Sequence, residues 1–321
     1  MAYSGKQFES YVSIQTDALG TNDVSGTLFQ LRTSEVSDID FSAGVQVEEV
    51  ERVGQRVLKP TDYITVRGGG SYTWSFSDYV VENEVMLQML LRLVTEDTTG
   101  AYAVTGDHAS TAYTEGATTG EYACVVVSSP DTDKDRLLHS AILQELTLSM
   151  DATNGGRLRA SGTFFSGYQP VIGTEGTSPN STAVDYTKGI FDCSTQTLGG
   201  SAVLMNSFEV TISNPATRSG YKTVNSTAGE PSGYNRSNQI DVTGNCSVLM
   251  DDTSVTMVNN FLAGTSTNIS IGDGSSLDFD IPTAKFTGHE VDMGNEQGVF
   301  INLPFKATAT GSDNLISIIA T

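Results

Sequence analysis

The sequence predicts a mainly β protein made of two similar halves, each carrying one α-helix. Three observations carry that prediction: runs that alternate with a period of two, turn-forming residues between them, and an order of elements that occurs twice in 321 residues. The clearest alternation is "RGGGSYTWSFSDY", residues 67–79, with Tyr72, Trp74 and Phe76 on one parity and Ser71, Thr73, Ser75 and Ser77 on the other. An extended chain sends alternate side chains to opposite faces, so this strand buries a wall of rings and turns a hydroxyl surface outward. Runs such as "YACVVV", "LQELTLSM", "GRLRASGTFF", "NSFEVTISN" and "GVFINLPFKATAT" are separated by clusters of Gly, Asn, Asp, Ser and Thr. That punctuation belongs to antiparallel sheets.

Two segments break the alternation. "ENEVMLQMLLRLV", residues 82–94, is apolar nearly all round and holds no Gly or Pro. "DDTSVTMVNNFLAG", residues 251–264, places Val255, Val258, Phe261 and Leu262 at helical spacing, with Asp252 or Thr253 to cap its start and Gly264 its end. Each half is therefore expected to hold one helix. Upstream of the second helix, "QIDVTGNCSVLMDD" overlies the first strand at an offset of 174: Gly244 falls on Gly70, Cys246 on Tyr72, Val248 on Trp74 and Met250 on Phe76. Apolar parity is preserved, and Asp241, Thr243, Asn245 and Ser247 repeat the polar face. Both copies follow a strand-like run and a long polar segment, about residues 51–62 and 214–238, which points to duplication of one unit. The expected division is a first domain over residues 1–170, with a loop insertion near 98–120, a linker over 171–190 and a second domain over 191–321.

Composition narrows the partners. Seventeen basic against thirty-eight acidic residues leave a net charge of −21, and both halves are acidic, so the charge is no tail. Gripping DNA or an anionic membrane wants clustered Lys and Arg, which this balance does not favour. The N-terminus lacks the apolar core of a signal peptide and no stretch approaches the ~20 apolar residues that span a bilayer, so a cytoplasmic protein is expected. Cys124, Cys193 and Cys246 are too widely spaced to frame a disulfide set or a zinc site.

Catalytic and metal constellations are weak, and no enzyme, cofactor or metal is expected. "DTDKDR" places Asp131, Asp133 and Asp135 like the start of a calcium loop, but Arg136 stands where the turn needs Gly and Ile142 where a bidentate Glu belongs. Asp273, Asp278 and Asp280 lack EF-hand spacing. His108, His139 and His289 sit in separate segments, and neither a G-x-S-x-G elbow nor a phosphate-binding glycine loop occurs.

The run "HSAILQELTLSMDATNGGRLRASGTFFSGY", the phrase "SFEVTISNP" before a long Gly, Ser and Asn loop, and "IDVTGNCSVLMDD", helix, "LPFKATATGSDNLISI" together resemble the two-domain tail tube proteins of long-tailed, siphovirus-like bacteriophages. The resemblance covers most of residues 28–321 and rests on the order of elements. It implies two tandem tail-tube-type β-sandwich domains, each with one flanking α-helix. It further implies a homotrimeric ring with pseudo-sixfold symmetry, rings stacked into a tube, and passage of double-stranded DNA through the lumen without binding. The implied setting is the virion tail, assembled in the host cytoplasm, with tape-measure, terminator and baseplate proteins as further partners and no membrane.

On that reading Glu48, Glu49, Ser71, Thr73, Ser75, Asp241, Thr243, Asn245 and Ser247 are expected to face the lumen. An acidic, hydroxyl-rich wall repels a polyanion over a Debye length of about 8–10 Å. Arg52, Arg56, Lys59, Arg218, Tyr221, Lys222, Tyr234 and Arg236, on the two long loops, are expected to make ring-to-ring contacts with carboxylates of a neighbouring subunit. A rival reading is an Ig-like adhesin, spike or capsid-decoration module, and a second is an outer-membrane barrel, which needs a signal peptide and lipid-facing strands.

Overall fold

The alternating runs become strands and the two breaks become α-helices in the computed structural model, which describes residues 8–22, 24, 26–33, 36–49, 63–67, 69–131, 134–173, 184–222, 229–293 and 298–321, the backbone alone over 45–49 and 63–67. The first half runs β1 (Glu9–Ile14), β2 (Phe29–Leu31), β3 (Val45–Glu49), β4 (Tyr63–Arg67), β5 (Tyr72–Val80), α1 (Glu84–Thr95), β6 (Val104–Thr105), β7 (Thr111–Thr114), β8 (Ala123–Ser128), β9 (Asp135–Asp151), β10 (Arg159–Ser166) and β11 (Val171–Gly173). The second runs β12 (Thr195–Leu198), β13 (Ser201–Ala202), β14 (Met205–Ser213), β15 (Thr217–Arg218), β16 (Gly233–Arg236), β17 (Asp241–Leu249), α2 (Asp252–Ala263), β18 (Thr267–Gly272), β19 (Leu277–Phe286), β20 (Glu290–Asp292), β21 (Phe300–Ala307) and β22 (Asn314–Ala320).

The pairing of strands recurs between the two halves. β1 joins β2 and β8, and β8 joins β9, just as β12 joins β13 and β18, and β18 joins β19. β10 and then β11 run along one side of β9, as β21 and β22 run along β19. β5 against β10 corresponds to β17 against β21, so α1 and α2 occupy matching places. The halves are nevertheless one sheet. The C-terminal part of β9 pairs with β14 from Asp151↔Ser207 to Glu145↔Ser213, giving the order β5–β10–β9–β14–β17–β21. β9 is long enough to serve this sheet with one end and the β8 layer with the other, and a single apolar core fed by both halves fills the space between.

α1 begins at the Asn83 cap, whose side chain accepts from the Met86 N–H at 3.0 Å, and Glu84 in its first turn suits the positive end of the helix dipole. Met86, Leu87, Leu90, Leu91, Leu93 and Val94 are all fully buried, as an all-round apolar helix requires. α2 is capped one residue earlier than expected, by Asp251 in a capping box with Ser254, and it ends at Gly264 in the left-handed region. Its burial departs from the sequence pattern. α2 buries Ser254 and Met257, while Val255 and Leu262 stay exposed. Cys246 and Val248 are buried as their parity predicts, but Met250 lies past the strand end and is exposed.

Residues 98–120, read from sequence as an inserted loop, are structured and tie the halves together. β6 pairs with β22, and β7 pairs with β16, which also carries β15. The polar segment 214–238 is therefore no free loop in its described part. The hairpin β3–β4 stands as a separate two-stranded sheet.

His139, on β9, is buried under the first-half core. Its Nε2 donates to the Gln169 carbonyl at 3.2 Å, leaving Nδ1 to accept near Ser140. Burial lowers its pKa to about 4, against the helping Gln169 carbonyl. Below pH 6.5 an unfolded chain takes up a proton that the folded imidazole refuses, so stability falls as pH drops from about 6.5 toward 4. Between pH 7 and pH 5 the loss from this site is expected to be about 2 kcal/mol. Urea titrations should find that His139→Gln flattens this slope; an unchanged slope would mean that the imidazole is already charged in the fold.

Candidate functional site

The polar face of the six-stranded sheet is built from register. Ser75, Thr163, Glu145, Ser213 and Asp241 form one row across β5, β10, β9, β14 and β17. Ser161, Thr147, Thr211, Thr243, Lys306 and Lys285 form the next, extending onto β21 and β19. Ser149, Glu209 and Asn245 follow in a third. Hydroxyls bond along these rows, Ser75 Oγ to Thr163 Oγ1 at 3.1 Å and Thr147 Oγ1 to Thr211 Oγ1 at 2.8 Å, the second bridging the two halves. Such cross-strand pairs hold neighbouring side chains in fixed places on one face.

The opposite face is the aromatic wall. Trp74 lies 5.9 Å from Phe76 and 6.0 Å from Phe164, and its Nε1 donates to the Ser37 carbonyl at 2.9 Å. Gly244 leaves room for this packing in the second half, since a Cβ there would sit 2.2 Å from the Glu209 carbonyl oxygen and 2.5 Å from the Phe305 ring. At the end of β5 a bulge opposite Ala160 and Gly162 turns Asp78 into the left-handed region, where its N–H bonds Ser161 Oγ and its carboxylate meets Arg159 at 2.6 Å.

The charges on this face are Asp78, Glu145, Asp151, Glu209 and Asp241 against Arg159, Lys285 and Lys306. Arg159 is held by Asp78 and Lys306 by Asp241, the latter at 2.6 Å. Two of the three cations are thereby neutralised in place, while Glu145 and Glu209 are exposed to solvent.

Of the residues expected on this face, Ser71, Thr73, Ser75 and Thr243 are exposed, and Asp241 and Asn245 are half-buried. Ser247 is buried in the subunit, so it does not belong to the open surface. Glu48 and Glu49 lie in β3, where only the backbone is described. Sequence reasoning missed Glu145, Thr147, Thr163, Glu209 and Thr211. Their alternation was legible in "LQELTLSM" and "SFEVTIS", but which strands share a face depends on long-range pairing.

The expected loop contacts are redistributed. Arg52, Arg56 and Lys59 lie outside the described residues. Tyr234 and Arg236 are buried within their own chain, Tyr234 against the rings of Phe165 and Tyr168 and Arg236 against the end of α1 and β9. They cannot reach a neighbour as expected. Lys222 finds its carboxylates within the chain too, on Glu115 and on Glu230 at 3.3 Å, and it lies over the Tyr168 ring. Arg218 donates to the Gly70 carbonyl at 2.7 Å and stacks on Tyr221, whose own ring is 60% exposed.

Arg236 instead completes the seam between the halves. The last carbonyls of a helix lack partners, and here the guanidinium donates to Leu93 at 3.2 Å and Val94 at 3.3 Å, and also to Leu143 at 2.8 Å. Asn214 donates to the Val94 carbonyl at 2.9 Å. A cation at this end also complements the helix dipole. Glu96 follows the helix in the left-handed region and faces Arg236 at 3.9 Å, His108 at 3.4 Å and the Tyr113 hydroxyl. Burial alone would raise its pKa, but the His108 bond, the Arg236 charge and the Tyr113 bond outweigh that and hold the carboxyl below its usual value.

Asp135 and Asp273 are spent on backbone N–H groups rather than on a shared ion, Asp135 on Ser129 and Asp273 on Ser275, Ser276 and Leu277. Among the described residues no group of His, Cys, Asp and Glu could hold a metal ion, and no helix is long and apolar enough to cross a membrane.

A family model described as phage tail tube protein matches residues 15–307. The chain belongs to the phage tail tube protein family. The match spans both halves, the seam and every strand of the polar sheet. No curated protein matches the chain. The role of a tail tube protein is structural, and the mainly β, sandwich-type fold described above is the one expected for it.

Proposed function

We propose that three copies of this tail tube protein close into a ring of six similar units, 1–170 and 191–321 from each chain, and that the rings stack into a tube through which DNA passes. The observation that carries this is the β9–β14 seam: within one chain the polar sheet already crosses from one unit into the next without a break. The ends of that sheet are open among the described residues, for β5 pairs only with β10, and β20 pairs only with β21. A sheet edge with unpaired backbone groups seeks another strand, and repetition of the seam from copy to copy removes every such edge. In this arrangement the polar rows line the lumen. With Arg159 and Lys306 neutralised and Glu145 and Glu209 open to solvent, the balance of this face is repulsive to a polyanion.

Cryo-electron microscopy of the purified protein tests the assembly: stacked three-copy rings are expected, and single copies under all conditions would overturn it. The wall is tested by the double variant Glu145→Lys, Glu209→Lys. Its tubes are expected to retain DNA at low salt and release it as salt rises, since each added phosphate contact steepens the salt dependence. Equal DNA retention by wild-type and variant tubes would remove these residues from the lumen. Tyr221, the exposed ring on its hairpin, is the side chain of that loop that we assign to contact between successive rings.

A further inference from the structure

We infer that the open face of α2 is the seam between copies, covered by the first half of the next copy in the way that α1 is covered by the second half of its own chain. The inference rests on the ring reading above and names the surface that closes the ring.

The two helices occupy matching places, yet their burial differs completely. Aligned on their caps, Asn83 and Asp251, the helices set Leu87, Leu90, Leu93 and Val94 of α1 opposite Val255, Val258, Phe261 and Leu262 of α2. The first four are fully buried. Of the second four, Leu262 is 70% exposed, Val255 is 40% exposed, and Val258 and Phe261 are half-buried. An apolar stripe at helical spacing is what a helix presents to a partner.

The reason for the difference lies in what each helix faces. α1 packs not only on β9 and β1 of its own half but on β14 and β22 of the other, and Gln88 Nε2 donates to the Ala320 carbonyl of β22 at 2.8 Å. α2 packs on β19, and its stripe is left open among the described residues. The counterpart of β22 is β11, and β11 carries Ile172, which is 59% exposed in a single copy. The stripe is also continuous with the open sheet edge, because Phe261 lies 5.6 Å from the ring of His289, between β19 and β20. One docking movement that pairs the open edge would therefore also place a neighbouring first half over the stripe.

The occupant is thus a second copy of this chain, with Ile172 among the side chains that meet α2. Leu262→Glu tests it. Because Leu262 is exposed in the single subunit, the variant should keep the wild-type circular dichroism spectrum and melting point, while ring yield by mass photometry falls at least tenfold. As a second measurement, Leu262→Cys is labelled with a maleimide in dissociated subunits and in rings, the native cysteines being buried. Labelling at least tenfold slower in rings is expected. Rings formed at wild-type yield by the Glu variant, or a Cys equally reactive in rings and subunits, would overturn the α2 seam while leaving the ring intact. A wild-type chain that never forms rings would overturn the ring reading, and this inference with it.

Discussion

Replacing Arg236 with alanine is expected to destabilise the subunit by about 3–5 kcal/mol, the usual cost of removing one partner from a buried charged network. The guanidinium is almost wholly enclosed, and its loss takes this donor from the carbonyls of Leu93 and Leu143, leaves Val94 with Asn214 alone, and leaves Glu96 without its cation. The helix end it caps lies where the halves meet, so the loss should also loosen β14 and β16 against α1. Urea unfolding followed by the fluorescence of Trp74, the single tryptophan, reads the effect directly. Adding Glu96→Gln to the alanine variant should recover part of the loss, because the stranded carboxylate is then neutral. A loss below about 1 kcal/mol would mean that water replaces the guanidinium without difficulty.

Trp74→Ala is expected to cost a similar amount, about 3–5 kcal/mol. The indole is 2% exposed and meets Phe76, Phe164 and the Ser37 carbonyl at once, so alanine removes the largest side chain of the aromatic wall and one hydrogen bond. Trp74→Phe should cost less, since most of the ring volume stays and the Ser37 carbonyl loses only its donor. Far-UV circular dichroism against urea measures both variants. Comparable losses for phenylalanine and alanine would place the energy in the hydrogen bond rather than in packing. The wall also sets the hydroxyl rows, because both faces belong to the same strand. On the ring reading proposed above, ring yield of the alanine variant should therefore fall along with its stability.

Alternation, caps and breakers are local, and they were legible in the sequence. The parity of Tyr72, Trp74 and Phe76 against Ser71, Thr73 and Ser75 survives unchanged in β5, and Gly264 ends α2 where its conformational freedom is needed. The repeated order of elements was legible as well, because each stretch of alternation, breaker and helix is local. Where each element finds its partner was decided only by tertiary structure. Nothing within a few residues of Arg236 tells that three carbonyls and a carboxylate, 93 to 143 residues distant, will enclose it. Read locally, a basic residue in a Gly- and Ser-rich segment is a surface residue; folded, it caps a buried helix. The stripe of α2 fails in the opposite sense. Its spacing says that the face wants to be covered, and that is correct chemistry, but burial is a property of what lies opposite. For α1 the opposite surface is in the same chain, whereas the outer face of α2 stays open among the described residues.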